Sequence, residues 1–357
     1  MDLQALARPE ILALKPYASA RALAGDQGIL LNANESPWPP PGQAPDHDQP
    51  LNRYPSPQPP ALKQALAEQY GVSPEQLLIT RGSDEGIDLL VRVFCQAGED
   101  QVVICPPCFG LYALSARIQG AAIVEVPLDM GERDWAVNWP ALHAESSAKL
   151  TFLCSPNNPT GSGCEALDVL ALAQQKAGRG LVVMDEAYVE YSDRDSLAAL
   201  VAEQANLVVL RTLSKAHALA GCRLGVVIAD PVVIDLLRRI IAPYPLPTPA
   251  VAAAMNAMTP DALAETQRRI GVLAEEKQRL LAALKTHPDI HQIWPGEANF
   301  ILVRAKDGGS LMAAAAAAGI VLRDQSAQPG LGHAVRITVG TPAENQALLD
   351  CLEQWSP

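Results

Sequence analysis

The sequence has no apolar run long enough to cross a bilayer. The longest, "LMAAAAAAGIVL" at 311 to 322, falls short of the roughly 20 residues a spanning helix needs. It is mostly alanine and reads as a packed helix running into a strand. Basic charge is scarce as well: 27 Lys and Arg stand against 39 Asp and Glu, for a net charge of -12 and a pI near 5.0. That sign opposes the phosphates of nucleic acid and the anionic face of a membrane, so neither is expected as a partner. A local basic pocket for one small anion stays open. The first 25 residues mix acids and bases with no apolar stretch leading to a small-residue cleavage site, so no signal peptide is expected. Cysteines are seven, an odd number without repeating spacing, which points to a reducing, cytoplasmic compartment. The "CPPC" at 105 to 108 has no thioredoxin-type pattern beside it and no second cysteine pair at ligand spacing. A structural role is expected there rather than a redox pair or zinc. There is no repeat of solenoid period, no Gly-x-Gly-x-x-Gly turn after the first strand and no helix-turn-helix segment.

What is present is the makeup of a globular protein, with 49% apolar residues and 18% charged. At 357 residues the chain is long enough for a large and a smaller domain sharing a cleft. A helix-like N-terminal stretch leads into residues 31 to 60, rich in Pro, Asn and Asp, where an extended, irregular path is expected. Apolar runs then recur at 77 to 80, 101 to 105, 122 to 127, 150 to 154, 181 to 185, 207 to 211 and 224 to 229. Apolar on both faces, they read as strands buried in a mainly parallel sheet. Helical patterns lie between most of them, as in "SDEGIDLLVRVFCQAG" and "EALDVLALAQQKAG", the latter closing at Gly178. The fold class is therefore α/β, a large unit with a mostly parallel central sheet flanked by helices. A proline cluster at 242 to 249 reads as a hinge. Beyond it a long helix through about Leu284, "NFILVRA", the alanine helix, "IVLRD" and "VRITVG" make a smaller α+β unit. The expected divisions are an N-terminal arm over 1 to 30, a large domain over 31 to 245 and a small C-terminal domain over 246 to 357.

In open parallel sheets ligands bind beyond the carboxyl ends of the strands. After "LLIT" comes "RGSDEG", a glycine turn and helix start whose free amides at Gly82, Ser83 and Asp84 suit a phosphate, or merely a helix cap. After "LTFLC" comes "SPNNPTG" with Asn158, which turn chemistry alone would also explain. Asp185 ends "LVVMD" and needs a cation, either a core arginine or a charged ligand. After "LVVLR" comes "TLSK", where Lys215 reaches the crevice; a desolvated lysine loses basicity and becomes nucleophilic. Ser214 and Arg223 beside it suit a phosphate. A phosphorylated aromatic aldehyde with a basic ring nitrogen, pyridoxal phosphate, joins these features. Lys215 would form the Schiff base, Asp185 would keep the pyridinium protonated, and the Ser/Arg/helix-start group would hold the phosphate.

The chain also resembles the aspartate-aminotransferase-fold (fold type I) pyridoxal-phosphate enzymes of class II, and within them the histidinol-phosphate aminotransferase family. Long stretches carry the likeness, among them "LLNANESP", "LNRYP", "RGSDEGIDLLVRVFC", "CSPNNPTG", "DEAYVEY", "LRTLSKAHALAGCRLG", "LRDQSAQPGL" and "VRITVGT". The resemblance implies that Lys215 carries the cofactor and moves the substrate proton, that Asp185 pairs with the ring nitrogen, and that Asn158 and Tyr188 contact the 3-hydroxyl. It implies a phosphate site of Ser83, Asp84, Ser214 and Arg223, with Tyr54 reaching the phosphate of the neighbouring subunit in a homodimer. Arg336 is implied as the clamp on the substrate carboxylate or its equivalent. Arg323, Tyr17 and Asn34 are candidates for the substrate phosphate, although Arg323 could bridge Asp324 and Tyr17 could merely anchor the arm. The implied substrates are L-histidinol phosphate and glutamate or 2-oxoglutarate. One departure stands out: where the family often has Thr-Tyr after "CPP", this chain has Cys108-Phe109, and Phe109 can stack on the ring but cannot hydrogen-bond.

Overall fold

The computed structural model describes residues 1–15, 32–41 and 51–357. Its seven apolar runs become one seven-stranded sheet: β1 (Leu77–Thr80), β2 (Gln101–Ile104), β3 (Ala122–Glu125), β6 (Leu150–Cys154), β7 (Leu181–Asp185), β8 (Leu207–Thr212) and β9 (Gly225–Ile228). Two short strands, β4 (Asp129–Met130) and β5 (Trp135–Ala136), pair as a separate ribbon. The sheet order is β1-β9-β8-β7-β6-β2-β3, parallel throughout except for β9, which runs against both neighbours. The central strands are buried along their length because helices cover both faces. The edge strand β3 is not: its residues are half-buried or exposed, so the expectation of a strand buried on both faces fails there.

One layer beside the sheet packs Leu62, Leu66, Val169, Leu172 and Leu213, and the other packs Ile87, Leu90, Phe94, Tyr112 and Leu237. The helix Gly82–Phe94 owes its place in the second layer to an apolar stripe of Ile87, Leu90, Val91 and Phe94, spaced at three and four residues. The "EALDVLALAQQKAG" segment is helical over Ala166–Gln175 and ends before Gly178, which takes a left-handed φ of 77° beyond the cap. The described residues 32–41 and 51–59 hold neither helix nor strand.

The C-terminal part has its own antiparallel sheet, in the order β10-β11-β13-β12, from β10 (Ile290–Trp294), β11 (Phe300–Ala305), β12 (Arg323–Asp324) and β13 (Ala334–Thr338). The helices Pro260–Thr286, Gly308–Ala317 and Pro342–Gln354 pack against it through Leu280, Leu284, Leu311, Leu348 and Leu352. "IVLRD" shrinks to the two residues of β12: Val321 is 93% exposed and no described strand pairs with the segment before Arg323. The long helical pattern after the proline cluster is two helices, Thr248–Ala257 and Pro260–Thr286, broken where Thr259 caps the second one and Pro260 opens it. The first of the two sends Ala250 and Ala254 into the layer of Leu62 and Leu66.

Candidate active site

The carboxyl ends of β1, β6, β7 and β8 lie at one edge of the sheet, and β9, running the other way, begins there. A cleft of about 610 Å³ opens at this edge and is walled on its far side by β12 and β13. Strand ends are where peptide groups leave the ladder and side chains can turn toward a ligand.

Asp185, the last residue of β7, is 3% exposed. Its carboxylate accepts a hydrogen bond from the Tyr112 hydroxyl at 2.7 Å and one from the Ala187 N–H at 3.1 Å. Burial raises its pKa to about 6, against the opposing pull of these two donors and of Lys215. The two readings of this carboxylate divide between neighbours. Glu186 is the one bound by a core arginine, Arg211, which also donates to Glu190 at 2.7 Å. Asp185 faces the cleft and has no arginine bound to it among the described residues.

Lys215 lies on the cleft wall with its ammonium 5.5 Å from the centre of the Tyr188 ring. Burial, and then the Arg336 and Arg223 cations, lower its pKa and favour the neutral, nucleophilic amine. Asn158 donates to the Tyr188 hydroxyl at 3.4 Å and accepts from the Arg336 guanidinium, so one carboxamide ties the β6 loop to β13. Burial drives the Tyr188 hydroxyl pKa well up.

The phosphate-type cradle forms where Gly82 turns the chain with a φ of 77° into the helix Gly82–Phe94. Ser83, Asp84, Ser214 and Arg223 all line the cleft there. Arg223, itself left-handed at φ 54°, donates to Asp84 at 3.0 Å. The first-turn amides of this helix lack intrahelical acceptors, which suits an anion. Two glycines make the approach possible. A Cβ on Gly225 would stand 2.2 Å from the Ser83 nitrogen, and one on Gly82 would stand 2.6 Å from Arg223 Nη2.

On the opposite wall Arg323 and Arg336 are direct partners across β12 and β13. Neither forms an ion pair with a carboxylate among the described residues, Asp324 included, whose carboxylate accepts from the Ser326 N–H at 2.8 Å. The Arg336 guanidinium stacks 5.3 Å from the centre of Phe300, and its Nε is buried without a partner among the described residues. Two guanidinium groups side by side, with no carboxylate paired to them among the described residues, suit an anion.

Most of the expected residues therefore meet in one cleft: Ser83, Asp84, Phe109, Asn158, Asp185, Tyr188, Ser214, Lys215, Arg223, Arg323 and Arg336. Tyr54 does not line it; it stacks on Tyr244 at 4.3 Å and is 49% exposed. Asn34 is exposed and is not part of its lining, with a left-handed φ of 54°, and Tyr17 lies outside the described residues. Cys105 and Cys108 are buried, and burial raises both thiol pKa values to about 12, which leaves them poor nucleophiles. Sequence reasoning missed Tyr112, Thr212, Cys154, Gln325 and Gln328. Thr212 and Cys154 end strands and could have been found by the rule that found Asp185. Gln325 stands two residues beyond Arg323 and could have been found by strand alternation. Tyr112 gave no such signal, because only the packing of its helix over the sheet brings it to Asp185.

The residues fit pyridoxal phosphate on structural grounds. They offer a lysine of lowered basicity, a buried carboxylate with donors but no cation bound to it by a hydrogen bond, and a helix start flanked by Arg223 and Ser214.

Comparisons with known proteins agree. The family model described as aminotransferase class I and II matches residues 28–352. A histidinol-phosphate aminotransferase of Stenotrophomonas maltophilia is 48% identical over 354 residues, 98% of this chain and 96% of the relative. One from Xylella fastidiosa is 48% identical over 97% of this chain and 95% of its own. The crystal structure of histidinol-phosphate aminotransferase from Sinorhizobium meliloti in complex with pyridoxal-5'-phosphate superposes with a TM-score of 0.77 at 25% identity, over 86% of this chain and 84% of that one. The L-threonine-O-3-phosphate decarboxylase of Porphyromonas gingivalis, at 24% identity, TM-score 0.72 and coverage of 85% and 90%, shares the fold. The chain belongs to the class I and II aminotransferases and, within them, to the histidinol-phosphate aminotransferase family.

Proposed function

We propose that this enzyme transfers the amino group between L-histidinol phosphate and 2-oxoglutarate, with glutamate as the donor in the direction of histidine biosynthesis, and that pyridoxal phosphate is its cofactor. The observation that carries the substrate reading is the couple Arg323 and Arg336, without an ion pair among the described residues and facing the same cleft as Lys215 and Asp185. When bound, the cofactor supplies an electron sink for the charge left on the substrate Cα. Lys215 would hold its aldehyde carbon, Asp185 its ring nitrogen, Asn158 and Tyr188 its 3-hydroxyl, and Phe109 the face of its ring. Ser83, Asp84, Ser214, Arg223 and the helix start beyond Gly82 would hold its phosphate. Lys215 Nζ, its basicity lowered by burial and by the neighbouring cations, takes the proton from the substrate Cα and returns one on the other side of the exchange. Arg336 and Arg323 orient the anionic end, phosphate in one substrate and carboxylate in the other, so both substrates use one site in turn.

Tyr54 is read as reaching the cofactor phosphate of a second copy in a homodimer, supported by the exposed apolar surface of Trp38, Leu51 and Tyr54 on one chain. Asn34 and Tyr17 remain candidates for the substrate phosphate. The seven free cysteines support a reducing cytoplasmic setting. No helix among the described residues is long and apolar enough to cross a membrane. The large domain is read as ending at residue 245 and the small domain as beginning at 246.

Two half-reactions test the proposal. Holoenzyme mixed with glutamate alone, and separately with histidinol phosphate alone, should shift its cofactor absorption from the aldehyde to the amine form. Lys215→Ala should lose both the Schiff-base band and turnover, and turnover retained by that variant would overturn the assignment.

A further inference from the structure

The polar lining of the cleft divides into a phosphate cradle, the groups around Asp185 and the two arginines, and these leave two carboxamides unused. Gln325 and Gln328 follow β12 on the wall that carries Arg323. The Gln325 N–H donates to the Ala334 carbonyl at 2.9 Å, so the β12 pairing continues through it. Residues two apart on an extended segment share a face, so Gln325 lies on the side of Arg323, about 7 Å along the strand. Two short arms branching from one carbon can span that distance.

Gln328 is occupied. Its side-chain N–H donates to the Cys108 carbonyl at 3.1 Å, which fastens this wall to the loop that carries Phe109, and at 3.5 Å it approaches Gln325 Oε1. Gln325 is 7% exposed, yet it lines the cleft, and its Nε2 donates no hydrogen bond to any described residue. That donor opens onto the cleft, so it is completed from the cleft side, by water or by a group of a bound ligand. Thr212, the other polar side chain of the lining without a role, has its hydroxyl bonded to the Leu224 carbonyl and the Ser214 N–H.

We infer that Gln325, held in place by its backbone bond to β13 and by Gln328, is the residue that reads the substrate's ring as a nitrogen heterocycle. This deepens the histidinol-phosphate reading and rests on it. With the phosphate on Arg323 and Arg336 and the amine toward Lys215, the third arm of the substrate runs along the Gln325 wall. An imidazole presents a ring nitrogen that accepts from the carboxamide N–H or an N–H that donates to its oxygen. A benzene ring presents neither and leaves Gln325 unsatisfied. A site built to hydrogen-bond a ring rejects the analogue that lacks the partner far more strongly than an apolar pocket could.

The test compares kcat/KM for histidinol phosphate and phenylalaninol phosphate in the holoenzyme and in Gln325→Leu. The variant should lose about 10- to 100-fold with histidinol phosphate and change less than about threefold with phenylalaninol phosphate, so that the preference between them collapses. The glutamate half-reaction, whose substrate has no ring, reports lost folding. If Gln325→Leu yields no soluble enzyme, Gln325→Met, close in length and unable to donate, takes its place with the same readouts. Equal losses with both phosphates, or no loss with either, would overturn the inference. A wild-type enzyme that fails to turn over histidinol phosphate at all would instead sink the substrate reading beneath it.

Discussion

Asp185 and Glu186 are consecutive acids at the end of one strand, and only their surroundings separate their functions. Glu186 is neutralised from within by Arg211 and by hydrogen bonds from Ser196 and the Leu197 N–H, and it works as part of the core. Asp185 has a tyrosine and a backbone amide for company, and burial raises its pKa to about 6 from an ordinary 3.8. The sign of the linkage follows: the folded protein binds this proton more tightly than the unfolded chain does. The associated stability is present below the ordinary value and is lost as pH rises through about 6. At neutral pH the buried carboxylate costs the cofactor-free protein about 3 kcal/mol, a cost that a bound cation would offset. Cofactor-free Asp185→Asn should therefore melt higher than the wild type at pH 8, with the gap closing toward pH 4, while its turnover falls by orders of magnitude. Melting curves of both proteins across that range check this, and a variant that melts lower at pH 8 would contradict it. The acid at the strand end was legible in the sequence because charge is costly in an apolar run. Tyr112 was not, because its contact with Asp185 spans 73 positions and depends on where a helix settles.

Among the elements, the seven strands of the large sheet were readable in place, all but the edge strand β3 because burial on both faces demands unbroken apolar runs. The small sheet was readable only in part. β10 carries an exposed His291 and half-buried neighbours, so its pattern is too weak to stand out, and β12 is only two residues long. The helix start at Gly82 depends on a feature that no periodicity discloses. Gly225, at the beginning of β9, lies so close beneath the first turn that a Cβ would meet the carbonyl carbon of Gly82 at 2.3 Å. Gly225→Ala should push the helix start outward, cost about 1–3 kcal/mol in stability and weaken pyridoxal phosphate binding about tenfold. Cofactor titration followed by absorbance measures the second effect, and unchanged affinity would show that the helix start is not the phosphate seat.

At the scale of the molecule, the cleft exists because the C-terminal sheet is fastened to the loop that carries Asn158. Gly161 and Gly296 approach until a Cβ on Gly161 would lie 2.7 Å from the Gly296 Cα, and the Glu297 N–H donates to the Gly161 carbonyl at 2.7 Å. Arg194 clamps Glu297 through Nε and Nη2, while Lys277 donates to the Gly296 and Ala298 carbonyls at 2.9 and 2.6 Å. Gly161→Ala adds a methyl group into this contact at a left-handed φ of 75° and should move Arg336 relative to Lys215. A misplacement near 1 Å costs about 100-fold in kcat/KM, with the cofactor band retained because Lys215 and Asp185, the expected partners of its aldehyde carbon and ring nitrogen, lie outside this contact. Loss of the band would mean that the contact supports cofactor binding instead. The sequence by itself determined the α/β class, the strand ends and the residue types of the cofactor cleft, since burial, turn chemistry and the expense of charge in apolar runs act locally. Tertiary structure alone decided that Arg323 stands opposite Arg336 and that Tyr112 reaches Asp185. Each of these depends on strand register or on helix packing between distant segments, where no local preference chooses the partner.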